Sequence, residues 1–108
     1  MTHNILASAC FIASRYADAT EWASRALRER PQLVPAHIYV VLDLVGVGEI
    51  GKAKAMFETL QKVASAELLR RGLEGRWPFG RSEDRKRATT FLCIAAGLED
   101  PSAAEAVR

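Results

Sequence analysis

Two histidines, two cysteines, two tryptophans and a scatter of arginines are the residues of this 108-residue chain whose types could do chemistry. His3 and His37 lie on adjacent expected helices with no Cys, Asp or Glu at ligand spacing beside them, so no metal site is expected. Cys10 and Cys93 have no CxxC partner and fall within apolar helical patterns, which reads as two small buried hydrophobes in a reduced, cytoplasmic setting. No GxSxG, HExxH, P-loop or dinucleotide fingerprint occurs, and "LEGRWPFGR" has glycines without phosphate-loop spacing; neither catalysis nor a cofactor is expected. Arg70, Arg71, Arg76 and the run "RSEDRKR" make the second half locally basic, a surface for an acidic partner or for weak nucleic-acid binding. Glu83 and Asp84 at the positive end of a helix favour a solvated helix start instead. Trp22 and Trp77 are candidate interface residues, Trp22 the stronger because its neighbours in helical register are polar.

Composition narrows the classes further. Hydrophobic residues make up 49% and charged residues 26%, which excludes disorder and low complexity. A formal charge of +2 is too small to make phosphate attraction the default explanation of function. No apolar run approaches the roughly 20 residues that a membrane helix needs, and "MTHNILASACFIAS" lacks the positive start of a secretory signal. One domain over residues 1–108 is expected.

The elements that would position these residues are all helical. Residues 2–13 carry an apolar stripe, and residues 15–30 set Tyr16, Ala19, Ala23, Ala26 and Leu27 against a charged opposite side before Pro31. "AHIYVVLDLVGV" reads as a helix from Pro35 to a stop at Gly48, and its Val and Ile content does not outweigh its length. A further helix over 49–64 buries Ile50, Ala53, Met56, Phe57, Leu60 and Val63. A shorter helix follows from Glu67, weakened by Gly72 and Gly75, then the "WPFG" turn. Ser82 is expected to cap a last helix that buries Ala88, Phe91, Leu92, Ala95 and Leu98 and closes at Gly97; the tail 99–108 should fray.

At a period of 34 residues, Leu6, Ala7, Cys10, Tyr16, Ala19 and Ala26 align with Val40, Val41, Leu44, Ile50, Ala53 and Leu60. "LASACFIASRYADATEWASRALRERP", together with Gly48, Ala53 and Phe57 of the second copy, resembles the tetratricopeptide repeat, a helix-turn-helix unit of that length. The alanines would admit neighbouring helices at close range. The resemblance implies an all-α solenoid of two repeats, about 2–33 and 34–65, plus C-terminal capping helices over 66–98. It also implies a non-catalytic protein-binding module whose concave groove would be lined by Asn4, Ser8, Phe11, Ile12, Ile38, Leu42 and Val45, unless the C-terminal helix or a second chain covers them. The lysines and arginines with which relatives clamp a terminal carboxylate are missing from these positions. Two repeats leave apolar faces to cover, so a homodimer is expected. "GRWPFGRSEDRKRATTFLCIAAGLED" is similar to the repeat tails of bacterial nucleotide-cyclase-like and winged-helix signalling proteins, which implies a regulatory C-terminal fragment as the alternative.

Overall fold

A helix whose inner face is built on alanine can be approached by a neighbour along its whole length, and this chain uses that twice. The structure, a computed structural model, describes residues 15–31, 34–77 and 81–107. Over these residues it is all-helical, with no strand: α1 (Tyr16–Glu29), α2 (Val34–Gly46), α3 (Ile50–Val63), α4 (Ala66–Leu73), α5 (Ser82–Ala95) and a 3-10 helix, Pro101–Ala106. Ala19, Ala23 and Ala26 of α1 and Ala53 of α3 are buried, and α1 and α3 both pack against α2. Ala7 and Cys10, with the rest of the expected helix over 2–13, lie outside the described residues. No helix among the described residues is long and apolar enough to cross a membrane.

The central helix α2 is buried on nearly every side. Ala23 of α1 meets Val40, while Val41, Leu42 and Val45 join one core with Ala53, Phe57, Leu60, Phe91, Leu92 and Ile94. The turn between α2 and α3 is closed by two hydrogen bonds: the Gly48 N–H donates to the Val45 carbonyl at 3.1 Å and the Glu49 N–H to the Leu44 carbonyl at 2.8 Å. That wrapping needs a left-handed residue, and Gly48 supplies it at φ +90°. Two residues earlier, Gly46 has a different duty. A Cβ there would sit 2.5 Å from the Cγ of Tyr16, so the bare backbone is what lets the Tyr16 ring lie against the end of α2. The same ring meets Phe91 of α5 edge-on, with centroids 5.5 Å apart.

Beyond α3 the structure departs from the sequence-based expectations in four places. Ser65 caps α4, its Oγ accepting from the Leu68 N–H at 3.1 Å, so this short helix starts with a firm anchor. Arg81, not Ser82, stands at the cap position of α5 and makes no side-chain cap bond; an Arg81–Glu83 ion pair occupies that corner instead. The tail does not fray as a whole: Asp100 accepts from the Ser102 N–H at 2.9 Å, and Ala104 of the 3-10 helix is fully buried against the core. Leu98, expected in the core, is 69% exposed, because α5 ends three residues earlier and the chain turns away after Gly97.

Candidate functional site

A cavity of about 600 Å³ opens between α2 and α4. It exists because α4 leans on α5, while α5 itself lies across α2 and α3. Gly72 makes that lean close: a Cβ at this position would stand 2.9 Å from Leu92 and 3.2 Å from the Trp77 ring. One wall is Val34, Pro35, Ile38 and Tyr39 from α2; the other is Leu68, Leu69, Arg71 and Gly72 from α4, with Arg76, Trp77 and Leu92 completing the lining. Most of it is apolar or aromatic, and the charge it carries comes from the two guanidiniums.

The aromatic edge is fixed in place. Trp77 Nε1–H donates to Thr89 Oγ1 at 3.0 Å, and that hydroxyl donates in turn to the Arg85 carbonyl at 2.8 Å. Gly75, at φ +86°, turns the chain out of α4 so that Arg76 and Trp77 return towards the cavity, with the Arg76 N–H bonded to the Arg71 carbonyl at 2.8 Å. Along α4 three guanidiniums share two carboxylates. Arg70 bridges Glu67 and Glu74, Arg71 reaches Glu67 through Nε at 3.4 Å, and Arg76 reaches Glu74 through Nε at 3.7 Å. The Arg70 hydrogen bond, with Arg71 and Arg76 adding to it, holds the Glu67 carboxyl below its usual range.

Of the groove positions expected from the sequence, Ile38 lines this cavity, half-buried and reachable. Leu42 and Val45 are corrected: both are 0% exposed, sealed in the core shared with Phe91, Leu92 and Ile94, because α5 packs across α2 at that level. Asn4, Ser8, Phe11 and Ile12 lie outside the described residues, as do His3 and residues 78–80 of the expected turn. Trp77 belongs to the cavity, whereas Trp22 is half-buried over the Ala23–Val40 contact with the Arg25 guanidinium 4.8 Å from its ring centre.

Several polar residues turn out to be structural. His37 is buried and its Nε2–H donates to the Pro31 carbonyl at 2.8 Å, tying α2 to the end of α1. Among the described residues no group of three or more His, Cys, Asp or Glu could hold a metal ion. Around the expected solvated helix start, Ser82, Glu83 and Lys86 are exposed, but Asp84 and Arg87 are corrected: both are buried and bonded to each other at 3.2 Å, with the Arg87 guanidinium 5.8 Å from the Tyr16 ring centre. Cys93 is a free, half-buried thiol pushed up by burial and then by Glu99, which disfavours the thiolate. Asp43 is the residue that periodicity could not flag: it is 0% exposed, both carboxylate oxygens lack a hydrogen-bond partner, and burial pushes it up to about 9, so it is protonated at neutral pH.

The open cavity with Ile38 in its wall, the arginines and glutamates beside it and the sealed Leu42 and Val45 make up the site. No family model, curated protein or solved structure matches this chain.

Proposed function

We propose that this chain is a non-catalytic protein-interaction module, built as tetratricopeptide-like helical hairpins, which receives an apolar side chain of a partner segment in the cleft between α2 and α4. The observation that carries the reading is the open apolar cavity of about 600 Å³ with Tyr39 and Trp77 at its walls, a size and lining typical of a binding site. The repeat assignment is supported by the match of Ala19 to Ala53 and of Tyr16 to Ile50 at a period of 34 residues, both alanines being buried, and by α1, α2 and α3 packing in sequence. Nucleic-acid binding draws less support, since the formal net charge is only +2, Arg81 and Arg87 are paired with Glu83 and Asp84, and the three arginines beside the cleft face two carboxylates.

Affinity capture from the source cell tests this. The wild-type chain should retain a partner saturably, and Leu68→Asp or Ile38→Asp should lose it at least tenfold while keeping full helicity, since burying one uncompensated charge costs more than the roughly 1.4 kcal/mol that a factor of ten represents. A partner held equally well by both folded variants would place the interface elsewhere.

A further inference from the structure

We propose that the cavity between α2 and α4 is also a small-molecule site for an amphipathic carboxylate, with an apolar body between Tyr39, Trp77 and Leu92 and its acid group at Arg71 and Arg76. This rests on the reading of the cleft as the binding site and adds its regulation: a molecule filling the cavity excludes the partner's side chain.

Three observations point to that chemistry. The volume, about 600 Å³, falls in the range of small-ligand pockets. Its walls offer dispersion contact and two aromatic side chains, and among the described residues its lining holds no carboxylate, so the interior favours an apolar body and the charge must sit at the rim. At that rim the charges do not balance: Arg70, Arg71 and Arg76 face only Glu67 and Glu74. Arg71 and Arg76 meet those glutamates by their Nε edges, at 3.4 Å and 3.7 Å, which leaves their Nη ends for a bidentate acceptor. A cationic amphiphile of the same length would meet two guanidiniums instead, and an uncharged one would gain only the apolar walls.

The rim itself is pre-organised. Ser65 fixes the start of α4, Gly75 redirects the chain after it, and the Trp77–Thr89 bond holds the aromatic edge against α5. A ligand therefore meets standing walls and orders little on binding.

Trp77 lines the cavity and reports its occupancy, so the test is a titration of Trp77 emission in a Trp22→Phe background with decanoate, decanol and decylammonium, all below micelle formation. Decanoate should change the emission saturably and bind at least about tenfold more tightly than decylammonium. Arg71→Glu with Arg76→Glu should remove that preference while leaving decanol within about twofold; both arginines are exposed, so the double variant should fold. Equal affinity for the anion and the cation, or no saturable change with decanoate, would overturn the proposal. The protein-binding reading fails separately: partner capture that depends on Leu68 survives an unresponsive decanoate titration, and a charge-selective titration survives the loss of partner capture.

Discussion

Asp43 sets an unusual term in the stability of this protein. Its carboxyl is protonated in the folded chain until about 9 and ionises near the ordinary 3.8 of an exposed aspartate once unfolded. Between those values the unfolded chain binds fewer protons, so the contribution of Asp43 is fully present below the lower value and is lost as pH rises through the higher one. Urea unfolding midpoints should therefore fall from about pH 5 to about pH 8.5, and Asp43→Asn should flatten the curve and raise stability near pH 8 by several kcal/mol in order of magnitude. A parallel fall in both proteins would show that Asp43 is not the source. Gly46 makes a second residue-scale prediction. Any Cβ there collides with the Tyr16 ring, at 2.5–2.8 Å from three of its carbons, so Gly46→Ala should cost about 1–3 kcal/mol by overpacking despite alanine's better helix propensity. An unchanged thermal midpoint would mean that the ring swings away freely.

At the scale of elements, α1, α2 and α3 were legible in the sequence because each carries an apolar stripe at helical spacing, with stops at Pro31 and Gly48 and the match of Ala19 to Ala53 at a period of 34 residues. Even the choice of helix over strand for "HIYVVLDLVGV" could be argued from length. What stayed hidden was set by tertiary contacts. Leu42 and Val45 have the right register for an open groove, and only the path of α5 across α2 turns them into core. Asp84 and Arg87 look like any solvated helix start until α5 is packed beside Tyr16. The cleft was half legible: Ile38, Trp77, Arg71 and Arg76 were singled out and a short helix was expected from Glu67, but nothing local shows that this helix leans on α5 and faces α2 across a cavity. The Ser65 cap is the local signal that fixes where α4 begins, and it yields a prediction. Ser65→Ala should destabilise α4 by about 0.5–2 kcal/mol. Hydrogen exchange should show this as faster exchange at Leu68 and Leu69, with α2 unchanged; uniform protection across α4 would show that packing on α5 alone holds the helix.

For the molecule over its described residues, the extents are 33 × 28 × 25 Å. At α2, one of the apolar faces that suggested a dimer is covered within the chain, where α5 and the 3-10 helix both pack. The cleft beside α4 stays open, and the functional account stands or falls on it. The most direct measurement is photo-crosslinking in the source cell, with a benzophenone side chain placed at Leu68 in the cleft or at Glu58 on the exposed side of α3. The account predicts a discrete adduct from Leu68 and none from Glu58; an adduct from Glu58 with none from Leu68 would contradict it.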